Sequence, residues 1–171
     1  MNKSSISILV PLKNTAEFLP DCIQSSIDQT YDEWEVLAVN DHSSDDSLDI
    51  MFSYAQKDSR IKLLTNEGNG IIDALRTAYA HSQGNYITGM DSDDIMSVNK
   101  LEVMVKSLKN HGRGRVALGK VKYFSKDGVG EGYKRYEKWL NRLTEKGLNY
   151  SEIYKECVIP SPCWMVDRKD L

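Results

Sequence analysis

A chain of 171 residues has room for one hydrophobic core and little for a second, so a single folding unit is expected. Apolar residues make up 40% and charged residues 27%, an ordinary soluble composition, and no apolar run approaches the length of a membrane span. A net charge of −3 sets nucleic acid aside as the main partner, because its binders carry a basic footprint.

The charge is unevenly spread. Residues 1–100 hold 7 Lys and Arg against 16 Asp and Glu, and residues 101–171 hold 15 against 9. That asymmetry suggests an acidic site and a basic outer face, the latter either a solvated helix surface or a weak attraction to anionic lipid. Cys22, Cys157 and Cys163 match no zinc or disulfide spacing and receive no chemistry. The N-terminal stretch MNKSSISILVPLKN lacks a signal-peptide core, so a cytoplasmic location is the default expectation.

In chain order, Ile6 to Val10 reads as a buried strand that Pro11 stops. Leu19, Cys22, Ile23, Ser26 and Ile27 form a helical stripe running to about Gln29, and Val36 to Val39 is the next strand. A turn-rich loop, Asn40 to Asp45, precedes a second helical stripe at Leu48, Met51, Phe52 and Ala55. Ile61 to Leu64 is a third strand, Asn66 to Gly70 a loop, and Ile71 to Tyr79 a third helix ending near Gly84. Tyr86 to Met90 is a fourth strand, Leu101 to Leu108 a fourth helix, and Val116 to Phe124 a strand or hairpin. Tyr136 to Leu143 suggests a further helix and Cys163 to Val166 a late strand. The alternation predicts an α/β fold with a mostly parallel central sheet covered by helices on both faces.

In such sheets ligands bind beyond the carboxyl ends of the strands, so Pro11–Asn14, Asn40–Asp45, Asn66–Gly70 and Asp91–Asp94 are expected on one rim. The stretch GMDSDDIM puts three carboxylates within four positions at the end of a strand. One of them, Asp94, suits a helix cap, but one cap does not need three aspartates. A hard divalent cation such as Mg²⁺ or Mn²⁺ neutralises such a cluster and can bridge to a diphosphate. The calcium-loop register fails, since the position that requires glycine holds Met96. PLKNTAEF has no glycine, which argues against a dinucleotide fingerprint, and no P-loop lysine motif is present. His42, His81 and His111 are scattered and give little support to a triad hydrolase.

ISILVPLKN, the run from IDQTY to WEVLAVNDHSSDDS, GIIDALRTAYAHSQGNYI, and GMDSDDIMSVNKLE, in this order, resemble the N-terminal half of family 2 inverting glycosyltransferases with the glycosyltransferase A fold. The likeness is good over roughly residues 4–110 and loose beyond. It implies a nucleotide-sugar donor, most often a UDP-sugar, with Pro11, Leu12, Lys13 and Asn14 lining the base, Asp41 holding the uracil, and Asp73 beside the nucleotide. In DSD it implies that Asp91 touches the ribose or metal, Ser92 adds a main-chain contact and Asp93 ligates Mg²⁺ or Mn²⁺. Asp41 also suits a turn or cap, and Asp73 a favourable place in a helix's first turn. Asp45 and Asp46 read as caps of the second helix.

Some positions depart from the family pattern. Lys13 stands where an aromatic residue often stacks on the base, Asn40 replaces a frequent aspartate, and Arg76 replaces asparagine and is spaced to pair with Asp73. The general base of inverting transfer is expected in an acidic motif on a helix beyond Leu171, so residues 1–171 are expected to be one glycosyltransferase domain truncated before that helix; neither Asp167 nor Asp170 is nominated. The resulting expectation is metal-dependent inverting transfer of a sugar to a hydroxyl of a glycan or lipid-linked acceptor, at the cytoplasmic face of the membrane if the lipid attraction is real. The alternative is a catalytically silent nucleotide-sugar-binding module.

Overall fold

The computed structural model describes residues 5–171; the first four residues of the N-terminal stretch lie outside it. The elements run β1 (Ile6–Leu12), α1 (Leu19–Ile27), β2 (Trp34–Asn40), α2 (Ser47–Lys57), β3 (Ile61–Thr65), α3 (Gly70–His81), β4 (Tyr86–Gly89), α4 (Lys100–His111), β5 (Val116–Leu118), α5 (Glu131–Lys146), α6 (Asn149–Glu152) and β6 (Trp164–Asp167). One turn of 3-10 helix stands on either side of β6.

The six strands form one sheet in the order β3-β2-β1-β4-β6-β5. Its first four are parallel, while β6 runs antiparallel between β4 and β5. A mostly parallel α/β sheet is therefore what the alternation predicts and what the chain forms.

Alternation along β1 explains how both faces are buried. Ile6, Ile8, Val10 and Leu12 point into a core with α1, α2 and α4, where Leu19, Ile23, Met51, Leu101, Met104 and Met165 meet them. On the other face Leu9, Leu37, Val39, Ile87 and Val166 pack on Ala74 and Ala78 of α3.

Two sequence expectations are corrected. Pro11 does not stop the first strand; it pairs in register with Val39, and β1 continues to Leu12. Leu9 O accepts from Met90 on the β4 side and Leu12 O accepts from Asp41 on the β2 side, so the donor that Pro11 lacks would face β4. Pairing with β4 ends at Leu9 and Gly89, and no ladder bond is lost there.

The expected strand or hairpin from Val116 to Phe124 shrinks to three residues, Val116–Leu118. Beyond it, side chains of α5 take the place of a partner strand: Asn141 accepts from Val121 N through Oδ1 and donates to Val121 O through Nδ2, both at 2.8 Å. Glu137 accepts from Tyr123 N at 2.7 Å. α5 is correspondingly longer than the four apolar positions suggest, and it closes a small core of Leu140, Leu143 and Val158. Among the described residues no helix is long and apolar enough to cross a membrane.

Candidate active site

β2 and β4 flank β1, so the loops leaving three neighbouring strands open side by side. At the usual spacing the outer two strands are about 10 Å apart. Backbone bonds hold the rim in steps: Met90 N donates to Leu9 O at 3.0 Å, Asp41 N to Leu12 O at 2.9 Å, and Asn66 N to Asn40 O at 2.9 Å.

Asp41 is the hub of the first half of this rim and is 4% exposed. Its Oδ1 accepts from Asn66 Nδ2 at 2.6 Å and from Gly70 N, at the start of α3, at 3.0 Å. Its Oδ2 accepts from Lys13 Nζ at 3.1 Å. The Asn66 bond first, then Lys13, hold the carboxyl below its ordinary range. Asp41 thus enters the site ionised and oriented, with Lys13 as the group that a ligand can exchange at Oδ2.

The loop after β1 is tied to the loop after β2. Asn14, at φ 55°, accepts from Ser44 N at 2.8 Å, and its own N donates to Ser43 Oγ at 3.1 Å. Asp45 accepts from Ser47 N and Ala16 N, both at 3.0 Å, so it caps α2 as the sequence suggests and also anchors the approach to α1. Asp46, at the N-cap position, makes no cap bond through its side chain.

Asp73 stands in the first turn of α3 and accepts from Asn69 N at 3.1 Å, reaching back from the helix to its N-cap amide. Its other oxygen meets Arg76 at 3.3 Å, the i, i+3 pair that the spacing suggests.

The acidic loop follows β4. Ser92 is buried, Asp93 is exposed at the tip, and Asp91 and Asp94 are half-buried on the wall of a cavity of about 800 Å³. The cavity runs from the acidic loop to Lys100 and Met104 of α4, the Leu118–Phe124 segment, and Pro160–Cys163. Burial pushes the Asp91 carboxyl up, with Ser161 pulling it down and Asp93 adding to the rise. Burial, then Asp91 and Asp93, push Asp94 up to about 6. Lys100 is 9% exposed; burial brings its ammonium down to about 8, against the opposing pull of Cys163, Asp94 and Cys22. Its hydrogen bond goes to Thr88 Oγ1 at 3.4 Å. Cys22, buried with its thiol toward Asp91 O, is pushed up to about 12 by burial and the three aspartates, and stays protonated.

The structure therefore joins Leu12, Lys13, Asn14 and Asp41 into one bonded unit and sets Asp91 on the cavity wall, while Asp73 serves α3 and lies outside the cavity lining. Sequence reasoning passed over two residues: Asn66, which aims Asp41, and Lys100. Asn66 was readable only as a loop residue; a lysine at the first position of a helix behind an acidic loop is a signal only once its burial is known.

Among the described residues no group of three or more His, Cys, Asp or Glu side chains is placed to hold a metal. Asp91 and Asp93 nonetheless suit a hard cation. Both are oxygen donors, burial and then Asp93 disfavour the charged form of Asp91, and Mg²⁺-type ions take one or two carboxylates and complete their shell with water and substrate phosphate.

A mostly parallel α/β sheet of this order, with acidic loops beyond β2 and β4, is a glycosyltransferase A architecture. Solved structures agree. S. aureus TarS 1-349 in complex with UDP matches with TM-score 0.65 and 27% identity, over 74% of this chain and 38% of that one. The mannosyltransferase PcManGT of Pyrobaculum calidifontis, at 20% identity, shares the fold with TM-score 0.74 over 99% of this chain and 46% of that one.

The glycosyl transferase family 2 model matches residues 7–171, and the chain belongs to that family. The UDP-Glc:alpha-D-GlcNAc-diphosphoundecaprenol beta-1,3-glucosyltransferase WfgD of Escherichia coli is 40% identical over 113 residues, 65% of this chain and 44% of its own. The putative teichuronic acid biosynthesis glycosyltransferase TuaG of Bacillus subtilis is 27% identical over 98% of this chain and 64% of its own. The glycosyltransferase GlyG of Streptococcus pneumoniae is 32% identical over 72% of this chain and 41% of its own, so the chain matches between 41% and 64% of the length of these three relatives.

Proposed function

We propose that the protein carries the donor half of an inverting, metal-dependent glycosyltransferase that moves a sugar from a UDP-sugar to a hydroxyl of a glycan or lipid-linked acceptor. The observation that supports the reading is that the Asp41 unit and the Asp91–Asp94 loop leave the strands on either side of β1, with Asp91 and Asp94 on the wall of a cavity. UDP in the TarS complex, and the UDP-Glc donor and diphosphoundecaprenol acceptor in WfgD's name, support the choice of nucleotide and acceptor class.

The chain's own groups act by binding and orientation. Asp41, fixed by Asn66 and Gly70, offers Oδ2 to a base N–H or ribose hydroxyl once Lys13 swings toward a phosphate. Pro11, Leu12 and Asn14 shape the floor under the base, and Ser92 lends its main chain to the same edge. Asp91 and Asp93 would hold Mg²⁺ or Mn²⁺, which would neutralise charge growing on the leaving diphosphate. Arg135, Lys138, Arg142 and Lys146 fall on one side of α5 with no ion-pair partner among the described residues, a surface suited to peripheral attraction to an anionic membrane face.

Calorimetry with UDP and Mn²⁺ tests the assignment. Binding that a chelator or Asp93→Ala removes is the expected result; metal-independent binding that Asp93→Ala leaves unchanged contradicts it.

A further inference from the structure

Two charged groups of the cavity wall are left incomplete by the fold. The Lys100 ammonium has three N–H donors, and one long contact to Thr88 Oγ1 is its hydrogen bond among the described residues. The Thr88 hydroxyl gives its own hydrogen to Trp164 O and accepts from Lys100 through oxygen, which leaves two of the ammonium's three donors open. The Asp94 carboxylate, half-buried, accepts no hydrogen bond from the described residues. The two feel each other's charge, yet no ion pair joins them. Both side chains line the cavity, where a third group can meet the two charges at once. A hydroxyl does so, because it accepts through oxygen and donates through hydrogen.

The strand order says which hydroxyl. This step rests on the donor reading given above. With the base at the ends of β1 and β2 and the diphosphate at the loop after β4, the next space along the sheet is the cavity beside β6 and β5. The group that follows the diphosphate in a nucleotide-sugar is the sugar. The cavity walls also supply Tyr123, Phe124 and Val103, apolar surface for the C–H faces of a hexose.

We propose that Lys100 and Asp94 bind the sugar of the donor, one sugar hydroxyl accepting from the Lys100 ammonium and donating to the Asp94 carboxylate. The pair reads the position and configuration of that hydroxyl, since an epimer presents it to only one partner or to neither. Lys100 and Asp94 are thereby specificity-determining, and neither contacts the nucleotide.

The test is calorimetry on wild type, Lys100→Met, Asp94→Ala and the double variant, each with UDP, UDP-glucose, UDP-galactose and UDP-N-acetylglucosamine in the presence of Mn²⁺. For the sugar nucleotide that wild type binds best, each single variant is expected to lose about tenfold in affinity, the loss of a charge-assisted hydrogen bond. The double variant is expected to lose no more than either single one, because both partners serve one hydroxyl. UDP affinity stays unchanged throughout. Equal losses for UDP and sugar nucleotide, unchanged sugar-nucleotide affinity, or fully additive losses each overturn the proposal. Wild type that binds UDP in no condition removes the donor reading itself, and this inference with it.

Discussion

Asn66 Nδ2 donates to Asp41 Oδ1 at 2.6 Å although 25 positions separate the two residues, and both are almost wholly buried. The bond ties the loop after β3 to the loop after β2. It fixes which carboxylate oxygen remains for a ligand, because Oδ1 is shared between Asn66 and Gly70 N. Asn66→Ala is therefore expected to keep the fold and weaken UDP about tenfold, with Asp41 free to rotate. Calorimetry checks it; unchanged affinity would mean that Gly70 alone orients the carboxylate.

The same environment predicts a pH dependence. The native carboxyl of Asp41 lies below its unfolded value, so the unfolded chain binds the proton more readily. Its contribution is present above the unfolded carboxylate value, about 3.9, and fades as pH falls through the lower native one. Asp41→Asn is expected to be less stable than wild type near neutrality, with the gap narrowing toward pH of about 3. Urea titrations at the two pH values measure it, and a gap that widens on acidification contradicts it.

Apolar spacing made the first two-thirds of the fold legible. The stripes of α1 to α4 and the apolar runs of β1 to β4 are local signals, and the rim of an α/β sheet follows from them. Pro11 misled because its effect depends on which neighbour its missing donor faces, which is a property of the sheet. The region after Leu118 was poorly legible for the same kind of reason. Val121 and Tyr123 are held by Asn141 and Glu137, side-chain partners 20 and 14 positions away, and no period announces them. In the site, Asp41 and Asp91 were visible as acids at strand ends. Lys100 was not, because burial of a lysine is invisible in a pattern that reads it as the solvated start of a helix.

Gly68 and Asp73 illustrate a local fit with a measurable cost. A Cβ at Gly68 would lie 2.4 Å from Asp73 Oδ2, the oxygen that accepts from Asn69 N. Gly68→Ala is expected to push the carboxylate off that donor and destabilise by about 1 kcal/mol, the usual worth of a cap, as is Asp73→Ala. The double variant should fall short of the sum, because the 2.4 Å contact with the carboxylate is gone and only the Cβ of residue 73, 2.8 Å away, is left to yield. Additive losses in denaturant would show that the two residues act separately.

Asn141 links α5 to the cavity. Its amide matches both the N–H and the carbonyl of Val121 at 2.8 Å, completing a segment that has no strand beside it at that point. Val121 lines the cavity, and Tyr123, held by Glu137, follows two residues on. Asn141→Ala leaves a half-buried backbone donor and acceptor unmatched, at a cost of about 1–3 kcal/mol. The loss should be local, because the sheet core of β1, β2 and β4 does not touch this contact. Amide exchange is therefore expected to quicken at Val121 and its neighbours while protection in β1 and β2 is unchanged. Affinity for UDP should be kept and any extra affinity for a UDP-sugar reduced, since only the cavity wall has loosened. Uniform loss of protection across β1 and β2 would show instead that α5 supports the whole domain.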